Sequence, residues 1–121
     1  MKIKQVDAEY TYNFDLDIVN IKVKHEYVYR ESVDLDVGVF LDFDENDFPV
    51  NLEILSASKR LNIEKELLIN PNGNVKIIII SDLIKLDVNF YINSENYLLE
   101  YSDKHSENLK ISDTEASFAL V

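Results

Sequence analysis

Val37-Gly38-Val39-Phe40-Leu41-Asp42-Phe43-Asp44-Glu45-Asn46-Asp47-Phe48-Pro49-Val50-Asn51-Leu52-Glu53-Ile54-Leu55 reads as two strands around a turn. The first run, 37–43, is built of β-branched and aromatic residues, which suit a pleated, half-buried surface. Asp44-Glu45-Asn46-Asp47 is turn chemistry, since short polar side chains hydrogen-bond back to their own backbone. Pro49 is tolerated at the start of the returning strand, where its missing N–H breaks no ladder bond. Two such runs across a short polar turn predict a β-hairpin.

Outward from this hairpin the same period of two recurs. Val6, Ala8, Tyr10 and Tyr12 alternate with Asp7, Glu9 and Thr11, the pattern of a half-buried strand. A turn is expected over residues 13–17, and a second strand over 18–23. Tyr27-Val28-Tyr29 is β-prone and is expected to exit through Arg30-Glu31-Ser32. After the hairpin, residues 56–68 form the only helical stretch, in which Asn62 could cap a second short helix. Asn70-Pro71-Asn72-Gly73 is a stop. Residues 75–80 are continuously apolar, which suggests a strand buried on both faces. Residues 84–92 alternate again, 93–96 turn, and 97–101 return; 102–108 reads as polar loop. Leu109-Lys110-Ile111 looks extended, but Ser112 and Glu115 fit a capping box before a short terminal helix over 116–120. The expectation is one α+β domain over residues 1–121, β-dominant, with an antiparallel sheet of hairpins and one short helical segment near 56–68.

The hairpin, with Gly38 ahead of an apolar strand, Asp42-Phe43-Asp44-Glu45, then Leu52-Glu53-Ile54-Leu55 and Ala57-Ser58, resembles a small prokaryotic family, domain of unknown function 2283. Tyr12-x-x-Asp15-x-Asp17-Ile18-Val19-x-Ile21 is similar to that family's opening hairpin. The resemblance covers roughly residues 10–68, and the β-rich extension from about 75 to 121 looks like an archaeal version. Asp47 and Asn51 stand where family members tend to carry Gly; both residue types also tolerate turns. The resemblance implies a fold and no activity. The association of some members with toxin-like genes implies an antitoxin-like partner of a basic protein.

Composition narrows the function classes. The chain has 121 residues with 23 acidic and 12 basic side chains, a net charge of −11. Nucleic-acid binding needs clustered Lys and Arg, and Lys59-Arg60 is the only adjacent basic pair. An anionic membrane surface is disfavoured for the same reason. There is no Cys and there are two Gly, so neither a thiolate nucleophile nor a Gly-rich phosphate cradle can be built. No apolar run approaches a membrane span and the N-terminus lacks a leader pattern, so a cytoplasmic protein is expected.

The sharpest chemical pattern is Asp42, Asp44, Asn46 and Glu53, at positions one, three, five and twelve of a calcium-loop spacing. Asp47 occupies the sixth position, where the sharp turn wants Gly, and the flanks read as strands. His25-Glu26-x-x-Tyr29 begins like a zinc motif but lacks its second His; His25 and His105 read as solvated. Glu53, inside an apolar run, is expected to pair with Lys59 or Arg60. Tyr at seven strand positions suits half-buried packing, with a protein-binding face as the other use. No catalytic residue and no cofactor emerges. The function expected is a non-enzymatic interaction module, engaging a protein partner or a second copy through open sheet edges; the alternative is weak calcium or other cation binding at the acidic hairpin tip, 42–53.

Overall fold

The computed structural model describes residues 3–81, 83–104 and 113–120. Among the described residues nine strands form one sheet: β1 (Ile3–Asn13), β2 (Ile18–Val23), β3 (Tyr29–Asp36), β4 (Val39–Asp44), β5 (Pro49–Ile54), β6 (Asn72–Ile80), β7 (Leu83–Ile92), β8 (Glu95–Lys104) and β9 (Thr114–Leu120). Helix α1 spans Ala57–Leu61, and a 3-10 turn follows at Lys65–Leu68. The strand order is β3-β4-β5-β2-β1-β9-β6-β7-β8. No helix among the described residues is long and apolar enough to cross a membrane.

The 37–55 hairpin is β4–β5, with Leu41 opposite Leu52 and Phe40 opposite Glu53. Its turn is closed by Asp44, whose carboxylate accepts the N–H groups of Asn46 and Phe48, each at 2.9 Å. Asp47 takes the left-handed conformation there, φ 64°, which Asp tolerates. Residues 30–32, expected as an exit, lie inside β3, because β3 must continue as the partner of β4. The β3–β4 turn is Val37-Gly38. Gly38 has φ 94°, and a Cβ there would stand 2.8 Å from the Arg60 guanidinium, so only Gly fits. The β7–β8 turn places Asn93 and Ser94 at φ 51° and 65°, the pair of positive angles of a type I′ hairpin.

Every strand alternates, and one face of each points inward. Val19, Ile21, Leu41, Leu52, Ile77, Ile84, Leu86 and Phe118 are fully buried in a single core. At about 1.5–3 kcal/mol per buried large apolar side chain, this common inner face is the main stabilising term.

The sheet differs from the antiparallel expectation at one seam. β9 is antiparallel to β6 but parallel to β1. Of the two readings the tail leaves open, extended chain or a capped helix over 116–120, the structure forms the strand. Ala116 and Phe118 point inward and residues 115, 117 and 119 outward, so the period is two, and a capping box is overridden by two waiting strand edges. In the strand order β9 alone joins β1–β5 to β6–β8.

Three further expectations change. β6 is not buried on both faces: Ile77 and Ile79 are buried, but Ile80 is 50% exposed, because among the described residues no second layer lies over the sheet there. The helical stretch breaks in two because Asn62, expected as an N-cap, sits in the left-handed conformation (φ 55°) and ends α1 instead. β8 runs through residues 102–104, where loop was expected; His105 and residues 109–111 lie outside the described residues.

The sheet curls so that its two terminal strands, β3 and β8, approach each other. Arg60 bridges them: Nη1 donates to Asp36 Oδ2 at 3.1 Å and to the Tyr101 hydroxyl at 3.0 Å, Nε donates to the Leu55 carbonyl at 2.7 Å, and Nη2 donates to the Val37 carbonyl. The expected pairing of Arg60 with Glu53 gives way to Asp36, because Glu53 sits opposite Phe40 and Asn20 on the outer face of the sheet.

If β9 is the seam, Phe118→Ala should cost about 3–5 kcal/mol in a urea melt, while Ala119→Ser, on the outer face, should stay within about 0.5 kcal/mol. Equal small losses would remove β9 from its central role.

Candidate functional site

The most elaborate polar cluster centres on Asp17, at the end of the β1–β2 turn. Its side chain is 8% exposed and its backbone is left-handed, φ 57°. One carboxylate oxygen accepts the Tyr12 hydroxyl at 2.5 Å and the Ser58 N–H at 3.0 Å; the other accepts the Ser58 hydroxyl at 2.6 Å. Its backbone carbonyl accepts the Ala57 N–H at 3.0 Å. Burial alone raises the Asp17 carboxyl, but the hydrogen bonds from Ser58 and Tyr12 and the nearby charge of Lys65 outweigh it and hold the group below its ordinary value. The same geometry raises the Tyr12 phenol, through burial and its bond to Asp17. Lys65 completes the enclosure, donating to the Phe14 carbonyl at 2.9 Å with its ammonium over the Phe14 ring.

This cluster clamps the β1–β2 turn to the start of α1. Sequence reasoning assigns no role to Tyr12, Asp17 or Ser58. The signal is present in the family-like segments, which carry all three.

The calcium-spaced residues do not converge. Asp42 projects from the outer face, accepting from Ser32 at 2.5 Å and from the Asn51 amide at 3.0 Å. Asp44 is 8% exposed and committed to its turn. Asn46 is exposed at the tip, and Glu53 is half-buried a strand away. Among the described residues no group of three or more His, Asp or Glu side chains is placed to hold a metal ion. His25 is exposed in the β2–β3 connection.

A second feature is the outer face of β3–β4–β5. Phe40 lies in phase with Asp42 on its strand and is half-buried. Asp34 stands opposite it on β3, Glu53 opposite it on β5, and Asp42 two residues along β4. None of the ion pairs formed among the described residues uses these three acids. In sequence Phe40 is one residue of an apolar strand, and its phase with Asp42 is the signal that marks it as outward-facing. A cleft of about 560 Å³ is lined by Ser58, Lys59, Asn62, Glu64, Lys65 and Tyr97; its Lys65 is engaged with Phe14.

Comparison with known proteins gives one family and two archaeal relatives. The family model described as Protein of unknown function (DUF2283) matches residues 9–58. The chain belongs to this family. It is 33% identical over 101 residues to a protein of Methanosarcina mazei named putative hypoxanthine phosphoribosyltransferase, covering 83% of this chain and 80% of that protein. It is 37% identical over 65 residues to the uncharacterised protein MJ0789 of Methanocaldococcus jannaschii, covering 52% of this chain and 55% of that one. No solved structure matches. The matched segment 9–58 holds Tyr12, Asp17, Gly38 and Ser58, so the family's span coincides with the clamp and its hairpins.

Because the Asp17 carboxyl is depressed in the folded state, its contribution is present above the unfolded carboxyl value of about 3.9 and is lost as pH falls through the folded value. Asp17→Asn should therefore cost about 1–3 kcal/mol at pH 7 and flatten the acid limb of a stability profile taken by urea melts at successive pH. An unchanged acid limb would place the acid sensitivity elsewhere. Calcium titration followed by amide NMR should give no saturable shift confined to residues 42–53; a saturable local shift would restore the cation reading.

Proposed function

We propose that this chain is a non-enzymatic, cytoplasmic protein-interaction module that docks a basic segment of a partner protein on the outer face of β3–β4–β5. The carrying observation is Phe40, half-buried on the outer face between Asp34 and Glu53 with Asp42 beside it. A Lys or Arg side chain laid on that face meets an aromatic ring and carboxylates at once, and both attract a cation. The net charge of −11 extends the attraction beyond contact and speeds encounter with a basic protein. The antitoxin-like role implied by the family resemblance is one form of this reading.

Open-edge pairing, expected from sequence, is the weaker route, since Arg60 bridges both edges at Asp36 and Tyr101. Cation binding is not favoured, because Asp42 and Asp44 already accept hydrogen bonds from the protein. The name of the Methanosarcina relative denotes phosphoribosyl transfer. That activity is not carried over. Diphosphates are held by Gly-rich loops at helix N-termini, and the two glycines here stand at the β3–β4 turn and in β6.

Titration with a Lys-rich peptide, followed by amide NMR, should shift Phe40 and its neighbours on β3 and β5, weaken as salt rises, and be lost in Asp34→Lys/Glu53→Lys. Asp7→Lys/Glu100→Lys changes the net charge equally on other strands and should retain binding. Equal loss in both variants would reduce the effect to net charge and overturn the docking face.

A further inference from the structure

The continuous apolar run of β6 leaves a stripe that the core does not use. Ile78 is half-buried and Ile80 is 50% exposed; Leu83, directly opposite Ile80 on β7, is 39% exposed. Cross-strand partners share a face, so these three side chains form one apolar patch on the outer face of β9–β6–β7. Beside Ile78 the face is indented, because Ser117 on β9 is small: a hollow of about 240 Å³ opens between Gln5, Lys76, Ile78, Glu115 and Ser117.

The charges around the patch are balanced, unlike the rest of the chain. Ile78 is flanked in register by Lys85 on β7 and by Glu115 on β9. One step along, Lys76 stands opposite Asp87. Two lysines and two acids give this area no net charge within a molecule of net charge −11. It is the place where a like-charged molecule can approach.

We infer that this face is a self-association surface whose occupant is a second copy of the chain, packed face to face about a twofold axis running along β6. The axis is what the charge pattern selects. Rotation about β6 exchanges its two sides, so Lys85 of one copy meets Glu115 of the other, and the pair forms twice. The β6 stripes then face each other at matching heights, Ile78 against Ile78 and Ile80 against Ile80 of the other copy. A twofold interface requires this kind of self-complementarity, and aligned face-to-face sheet packing is an ordinary arrangement. A basic partner would instead meet Lys76 and Lys85 here, so the surface is distinct from the acidic face around Phe40, and the inference does not depend on that reading.

The test is sedimentation equilibrium of the full chain at concentrations up to about 100 μM, a range that reveals even a weak dimer. The wild-type chain should be a reversible dimer. Ile80→Lys should be monomeric with an unchanged circular dichroism spectrum and melting temperature. Lys85→Glu and Glu115→Lys should each weaken the dimer at least about tenfold, and the double exchange Lys85→Glu/Glu115→Lys should restore it. A wild-type monomer throughout the range would overturn the inference, as would a dimer indifferent to Ile80→Lys. Single losses that the double exchange does not restore would overturn the twofold axis along β6.

Discussion

A carboxylate buried at a strand turn has to be surrounded by donors, and Asp17 shows how much structure that requirement organises. Its oxygens take the Tyr12 hydroxyl from β1 and both the N–H and the hydroxyl of Ser58 from α1. Its backbone takes the Ala57 N–H. An ionised group at this depth is tolerated only with such partners. The β1–β2 hairpin and the segment leaving β5 are therefore fixed relative to one another. Arg60, further along α1, is then delivered to Asp36 on one sheet edge and Tyr101 on the other. The curl of the sheet follows from where α1 is held. Tyr10, donating to the Leu68 carbonyl and packed edge-on against Phe90, ties the same region to the second half of the chain.

Much of this fold is legible in the amino-acid sequence. The β4–β5 hairpin, the 13–17 turn and the β7–β8 return come from period-two alternation and turn chemistry, which are local properties. What local pattern does not reveal is non-local. The stretch 112–120 carries both a capping-box pattern, Ser112 with Glu115, and the strand alternation of Ala116 and Phe118, and two vacant edges decide between them. The run 75–80 announces a strand but not that, among the described residues, no second layer lies over Ile78 and Ile80. Asn62 is equally at home starting or ending a helix. Glu53 and Arg60 are near in sequence, yet strand pairing sends Glu53 to the outer face while Asp36 takes the guanidinium. The calcium spacing lies along one segment of chain; the feature that carries the functional reading, Phe40 between Asp34 and Glu53, spans three strands.

The functional surfaces share one origin. With a single curled sheet around a single core, the outer face carries its own side chains with no further layer among the described residues, and the sequence fills its two halves differently. The half built from β3, β4 and β5 presents carboxylates around an aromatic ring. The half built from β9, β6 and β7 presents isoleucines with balanced charges. We propose the first for recognition of a cationic surface and the second for recognition of a copy of the chain.

The most direct measurement is to recover the tagged chain from its native host and weigh what co-purifies with it, for the wild type and for Asp34→Lys/Glu53→Lys in parallel. The account predicts a basic protein in near-equal amount with the wild type and its loss from the charge-reversed chain. Recovery of the wild-type chain without such a protein, or a partner retained after reversal, would contradict it.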